Sequence, residues 1–96
     1  MLAMLNIPVE LKVKYLRRRI GDIKKLRASL ESEDFSLAVK LGHQVRGNAE
    51  TFDVPEMAVL AKQIEDAGHN KDKALLLHLI TKMESMIKSA QLQYAQ

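Results

Sequence analysis

The sequence of 96 residues contains no cysteine and no tryptophan, and only two prolines and four glycines interrupt it. Without cysteine, the chain can form neither a disulfide framework nor a thiolate metal site, and thiol catalysis is excluded. The first ten residues lack the basic start of a signal peptide, and no stretch approaches the roughly 20 apolar residues of a membrane span. We therefore expect a cytoplasmic protein that does not enter a membrane.

Several catalytic signatures are also missing. The sequence has no Gly-rich phosphate loop, no His-Glu-x-x-His pair and no Gly-x-Ser-x-Gly elbow, which argues against a nucleotide enzyme, a zinc hydrolase and a serine hydrolase of the common kinds. A metal site built on His43 and Glu50 is disfavoured, because these residues are seven positions apart and too few further ligands converge on them. We expect neither a metal nor another cofactor.

Composition and charge fit one small globular domain. Hydrophobic residues make up 47% of the chain and charged residues 28%, so that residues 1–96 can form a single domain with one core.

The net charge is +3, and the cations are concentrated early in the chain, at Lys12, Lys14, Arg17, Arg18, Arg19, Lys24, Lys25 and Arg27. They can attract an acidic partner or form a solvated helix face. We favour the solvated face over nucleic-acid binding, because the cations lack the regular interleaving with aromatic residues that base stacking requires.

Apolar residues recur at spacings of three and four throughout, which predicts helices and no strands. We predict a first helix from Pro8 to near Ser32, a second from about Asp34 with Ser32 or Asp34 as its cap, and a third opening at Pro55. Asn70 is the predicted N-cap of the fourth helix. The residues predicted to face the core are Val9, Val13, Leu16, Ile20, Ile23, Leu26, Leu30, Phe35, Ala38, Gly42, Val45, Ala49, Phe52, Met57, Leu60, Ala61, Ile64, Ala67, Leu76, Leu79, Met83, Ile87 and Ala90, with Tyr94 extending the last stripe.

Four amphipathic helices joined by short loops predict an all-α, antiparallel up-down-up-down four-helix bundle, because short connections make sequential helices neighbours. Its core spans about residues 8–94, and the first seven residues can add a short N-terminal turn. No unusually apolar exposed stripe is evident, so we expect a monomer.

One of the three histidines stands out. His69 lies in a Gly-His-Asn turn and His78 falls opposite the apolar stripe of the last helix, so both are interpreted as surface residues. His43 points about 130° away from the centre of the stripe of its helix, which places the imidazole in solvent. Burial therefore does not explain this residue.

The neighbours of His43 suit phosphoryl chemistry. Lys40, Arg46 and Gly47 lie three or four residues away and therefore adjoin the ring on a helix. Neutral imidazole is a nucleophile, and the planar guanidinium of Arg46 can hydrogen-bond phosphoryl oxygens. Gly47 leaves room beside the imidazole for a partner's loop, although a glycine can also serve close helix packing. Gly42, on the core side, is interpreted as a packing residue.

These residues carry a resemblance to a known family. The stretch 41–49, followed by Thr51-Phe52-Asp53-Val54, Leu60 and Ile64-Glu65, resembles the histidine phosphotransfer (Hpt) domain with its signature His-x-x-Lys-Gly. The similarity in helix order and apolar spacing extends over residues 8–94. Two departures stand out: Arg46 replaces the lysine of the signature, and Asp53 stands where the family often has a glycine that ends the helix.

The resemblance implies a phosphorelay carrier without kinase activity of its own. His43 would accept a phosphoryl group from the phospho-aspartate of a receiver domain and pass it to the aspartate of another, with Mg²⁺ supplied by the receiver. Arg46 matches the residue that contacts the phosphoryl group, and Gly47 matches the glycine that leaves room around the ring. The implied partners are response-regulator receiver domains and a sensor or hybrid histidine kinase of a two-component system, which would dock around Lys40 and Gln44.

An alternative from a different class is a helical interaction module whose His43 is never phosphorylated. Its basic first helix would bind an acidic protein or a nucleic acid. The initial methionine and the compact length favour a free-standing protein over a piece of a hybrid kinase.

Overall fold

The computed structural model describes residues 7–52 and 54–94, and these form four α-helices without a strand. Helix α1 spans Val9–Glu31, α2 spans Ser36–Asn48, α3 spans Glu56–His69 and α4 spans Lys73–Gln93. The predicted N-terminal turn, apart from its last residue, and the predicted helix-ending role of Asp53 lie outside the described residues.

The helices form a closed ring of neighbours. Helix α2 packs most closely against α3, α4 packs against both α1 and α3, and α1 also contacts α2. Connections of three to seven residues join consecutive helices, which makes sequential helices antiparallel neighbours. The predicted all-α, up-down-up-down bundle is confirmed.

One core fills the bundle, and most of the predicted residues lie in it. The buried apolar residues are Tyr15, Leu16, Ile23, Leu26, Leu30, Ala38, Leu41, Val45, Ala49, Val54, Met57, Leu60, Ala61, Ile64, Ala67, Leu76, Leu79, Ile80, Met83, Ile87 and Ala90. Phe35, Phe52 and Tyr94 pack against this core and are partly buried, as is Ile20.

The first helix departs most from prediction. Val9 is 52% exposed and does not belong to the core, because it is the first residue of α1 and sits where the bundle ends. Val13 is only partly buried. Tyr15, which was not among the predicted core residues, is 6% exposed. An amphipathic residue of this size can be buried when its hydroxyl finds a partner, and periodicity alone does not reveal that partner.

The predicted N-cap of α4 is wrong. Asn70 ends α3 by donating its backbone N–H to the carbonyls of Asp66 and Gly68, and the N-cap of α4 is Asp72, whose Oδ1 accepts from the backbone N–H of Leu75 at 3.1 Å. Lys71 between them has φ 54°, so the chain turns there before α4 can begin.

The start of α2 lies two residues later than predicted. Ser36 is the first helical residue, and Asp34 accepts hydrogen bonds from its backbone N–H and its hydroxyl at 3.0 and 2.6 Å. These hydrogen bonds hold the pKa of the Asp34 carboxyl below its usual value. Ser32 instead donates its hydroxyl to the carbonyl of Ser29 at the end of α1. Asp34 therefore secures the entry to α2 from just outside the helix.

The tightest helix contact is made at Gly42, where α2 meets α3. A Cβ atom at this position would lie 2.7 Å from the carbonyl oxygen of Ala61 and 2.8 Å from the backbone nitrogen of Glu65. Real Cβ atoms do not approach a backbone so closely, so the lack of a side chain permits this spacing of the two helices. The interpretation of Gly42 as a packing residue agrees with this geometry.

We predict that Gly42→Ala lowers the free energy of unfolding by about 1–3 kcal/mol, because the added methyl must push α3 away from α2. Gly21→Ala is the matched control, since a Cβ at Gly21 meets nothing within 4 Å. That change should raise stability by up to about 1 kcal/mol through helix propensity. Urea unfolding followed by circular dichroism measures both. Equal effects of the two substitutions would show that the contact at Gly42 does not limit the packing.

Candidate functional site

His43 lies on α2 with its imidazole 67% exposed, as the direction of its helix face predicts. His69, at the end of α3, and His78, on α4, are also exposed. Neither of them contacts another charged side chain among the described residues, whereas His43 contacts two. The surroundings, and not exposure alone, set His43 apart.

Arg46 is the first of these two contacts. It lies one turn further along α2, and its Nη2 is 3.0 Å from Nδ1 of His43. A guanidinium only donates hydrogen bonds, and whether Nδ1 accepts this one depends on which ring nitrogen of His43 carries the proton. The predicted proximity of Arg46 to the ring is present in the structure, and the side chain of Arg46 is 40% exposed.

Glu65 on α3 is the second contact. Its Oε2 is 3.4 Å from Nδ1 of His43, and its Oε1 is 3.5 Å from Nε of Arg46. The Glu65 side chain is only 13% exposed. The charge around the imidazole is therefore not purely positive, as Lys40 and Arg46 alone would make it.

The place of Glu65 follows from the packing at Gly42. Glu65 comes directly after the buried Ile64, and its backbone lies against α2 at the position just before His43. Sequence reasoning did not assign Glu65 a role at the site. The sequence does contain one indication of this contact: two small residues, Gly42 and Ala61, lie on the predicted buried faces of α2 and α3. Small residues on both faces allow two helices to approach so closely that a side chain of one reaches the other.

The remaining predicted residues surround this centre. Lys40 is exposed one turn before His43 and makes no ion pair with a described residue. Gln44 is exposed on the side of α2 that faces α1. A Cβ at Gly47 would meet nothing within 4 Å, so the space beside this residue is open. Close helix packing therefore does not explain Gly47.

A groove of about 550 Å³ runs between α1 and α2 next to the site. Gln44 lines it from α2, and Lys14 and Arg18 line it from α1. The groove gives the face beside His43 two cations that make no ion pair among the described residues.

Tyr15 fixes α1 against the end of α2 at this groove. Its hydroxyl donates to Oδ1 of Asn48 at 2.6 Å, and its ring stacks on Phe52 with 4.2 Å between the centroids. The guanidinium of Arg19 lies 4.7 Å from the centre of the same ring. Burial raises the pKa of the Tyr15 hydroxyl, so it stays protonated and keeps its hydrogen bond at neutral pH. The position of α1 beside His43 therefore depends on a specific contact.

Within residues 7–52 and 54–94, no group of three or more histidine, aspartate or glutamate side chains is placed to hold a metal ion. None of the described helices is both long and apolar enough to cross a membrane.

Comparison with known protein families identifies the family to which the chain belongs. The model of the Hpt domain family matches residues 13–92, which include all the residues of the site, and the chain belongs to this family. Membership implies a role in histidine phosphotransfer within a phosphorelay, as a phosphocarrier rather than a kinase. The comparisons with curated proteins and with solved structures gave no match.

We predict that Gly47→Ala slows phosphoryl transfer without weakening the fold. The methyl group would occupy space that is open in the structure and that we expect an approaching partner to use, while alanine raises helix stability by up to about 1 kcal/mol. Thermal unfolding and single-turnover transfer from a phosphorylated receiver domain measure the two effects separately. A transfer rate equal to that of the wild type would show that the space beside Gly47 serves no partner.

Proposed function

We propose that the protein is a phosphorelay carrier whose phospho-acceptor is His43. The observation that carries the proposal is the exposure of the imidazole: the side chain is two-thirds exposed, both of its contacts involve Nδ1, and no hydrogen bond or ion pair with a described residue involves Nε2. An accessible ring nitrogen beside a guanidinium is suited to accept a phosphoryl group.

The transfer follows an in-line displacement. With the ring proton on Nδ1, the lone pair of Nε2 attacks the phosphorus of a receiver's phospho-aspartate. The bond between phosphorus and the carboxylate oxygen breaks, and the carboxylate stays on the receiver as the leaving group. Mg²⁺ belongs to the receiver in this scheme. Arg46 then contacts the phosphoryl oxygens on the ring. The reverse displacement by the aspartate of a second receiver completes the relay.

The partner surface consists of the groove between α1 and α2 together with the exposed face around His43. Lys40, Lys14 and Arg18 give this surface positive charge, and Gln44 and Gly47 leave it accessible. A receiver domain carries an acidic pocket around its aspartate, so opposite charges would orient the two proteins and speed their encounter. We also propose that the protein acts as a monomer in the cytoplasm, where such partners operate.

A second function has one observation in its favour. Exposed residues of α1 include Lys14, Arg17, Arg18, Lys24 and Lys25, and none of them forms an ion pair with a described residue. Such a face could hold an acidic protein or a nucleic acid without any phosphoryl transfer. A salt-sensitive association that survives His43→Ala would support this interaction module.

We predict that His43→Gln abolishes phosphoryl acceptance and leaves the fold intact, because an exposed ring leaves no cavity when it is replaced. The measurement is incubation with a phosphorylated receiver domain, followed by intact-mass analysis at neutral and acidic pH. The wild type should gain one acid-labile phosphoryl group. His69→Gln and His78→Gln are the matched controls and should still be phosphorylated. No transfer to the wild type from a broad panel of receivers would contradict the carrier function.

We predict that Arg46→Ala shortens the lifetime of the phosphohistidine, because the phosphoryl group loses its neighbouring cation. A loss of about tenfold corresponds to one charge-assisted hydrogen bond at an exposed site. Decay of the phosphorylated protein, followed by intact mass over time, measures the lifetime. Arg46→Lys keeps the charge and should restore part of it. An unchanged lifetime in Arg46→Ala would remove this residue from the site.

A further inference from the structure

We infer that the outer face of α1 around Gly21 is a binding site for a short chain of phosphate groups. Apart from Arg18, this face consists of residues that the proposed transfer at His43 does not use. The inference follows from one arrangement: a glycine in the middle of a helix lies at the centre of four exposed cations, none of which forms an ion pair with a described residue.

The fold does not explain Gly21. This residue lies in the interior of α1, where glycine lowers helix stability relative to alanine. A Cβ atom at Gly21 would meet nothing within 4 Å, so close packing does not require a glycine here, in contrast to Gly42. No described glycine has a positive φ, so backbone conformation does not require one either. The missing side chain leaves the surface of α1 open at this point.

Four cations surround the opening. Residues three and four positions apart are neighbours on the surface of a helix, and at these distances from Gly21 the sequence has Arg17, Arg18, Lys24 and Lys25. All four side chains are exposed. Helical side chains lean toward the N-terminus of their helix, which directs Lys24 and Lys25 toward position 21. The four cations therefore form a ring around bare backbone.

The acidic residue in this part of α1 does not offset the charge. Between residues 11 and 30 the sequence contains one acidic residue, Asp22. Its Oδ2 pairs with Nε of Arg19 at 2.8 Å, and both side chains are largely buried. The groove beside the site of His43 includes Arg18 but not the other three cations of the ring. Most of the positive charge therefore serves neither the fold nor the proposed docking of a receiver domain.

The size of the ring indicates a small ligand. Residues 17–25 span about 12 Å along the helix axis, on a face about 10 Å wide. Such an area matches a few consecutive phosphates, whereas a nucleic-acid-binding module buries about 600 Å² or more and a stable protein complex about 800 Å² on each partner. Guanidinium and ammonium groups donate charge-assisted hydrogen bonds to phosphate oxygens. Both size and chemistry therefore favour a short phosphate chain.

The same face lacks the groups that larger anionic ligands use. No large apolar side chain of α1 is exposed beyond Leu11, so the ring has no anchor for the hydrocarbon of a membrane. Residues 16–31 contain no aromatic side chain on which a nucleic-acid base could stack. The ligand that fits is a soluble chain of phosphates, either inorganic or carried by a nucleotide.

The test uses the full chain and two probes, tripolyphosphate and ATP. Nitrogen-15 NMR at low salt, where exposed charges are least screened, locates each bound probe, and isothermal titration calorimetry gives its dissociation constant. We expect the largest shifts of backbone amide signals at residues 17–25 and similar dissociation constants for the two probes. Much tighter binding of ATP would identify a nucleotide as the source of the phosphates. No shifts at residues 17–25 with either probe would overturn the inference.

Three variants test the ring itself. Lys24→Gln combined with Lys25→Gln should weaken tripolyphosphate binding about tenfold, because two exposed charge pairs are lost. Lys71→Gln combined with Lys82→Gln is the matched control, since it removes two exposed lysines outside α1 and gives the same net charge. It should change the dissociation constant by less than about twofold. Gly21→Leu removes no charge but fills the opening, and it should weaken binding about fivefold by holding the phosphates away from the ring.

Equal losses in the two double variants would show attraction by net charge alone and would overturn the inference. Unchanged binding by Gly21→Leu would do the same, and should this variant fold poorly, the two double variants decide. A short DNA duplex or an acidic peptide that binds more tightly than tripolyphosphate would assign the face to the interaction module instead. His43→Gln should bind tripolyphosphate as the wild type does, so the result is independent of whether His43 accepts a phosphoryl group.

Discussion

The contact between α2 and α3 at Gly42 determines the geometry of the site. Because no side chain separates the two backbones there, the backbone of Glu65 lies against α2 one residue before His43. The imidazole and the guanidinium come from one helix, and the carboxylate comes from the next. Their spacing therefore depends on a tertiary packing distance, and a small change in that distance alters the charge that the ring experiences.

The site is buried on the side of α3 and exposed to solvent on the side of His43. Glu65 is largely buried, whereas His43 and Arg46 are exposed. On the other side of α2, Tyr15 and its hydrogen bond to Asn48 hold α1 beside the groove. In the proposed relay the bundle thus orients the imidazole, and the partner contributes the acidic pocket and the metal ion.

Much of the fold could be predicted from the sequence, because the spacing of apolar residues determines which face of each helix is buried. The direction of His43 followed from the same periodicity. The burial of Tyr15 and the capping role of Asp72 could not be predicted, since both depend on hydrogen-bond partners that a pattern does not reveal. Glu65 was missed for a related reason: its importance arises from the approach of α3 to α2, which no local spacing encodes.

The use of one acceptor nitrogen, Nε2 of His43, also constrains the order of events in the proposed relay. A donor and an acceptor must each bring an aspartate to the same Nε2, so the two partners cannot occupy the carrier together. The exchange then follows ping-pong kinetics, in which the donor dissociates before the acceptor binds. Signal flow through such a carrier is governed by how quickly each partner leaves and by their relative abundance.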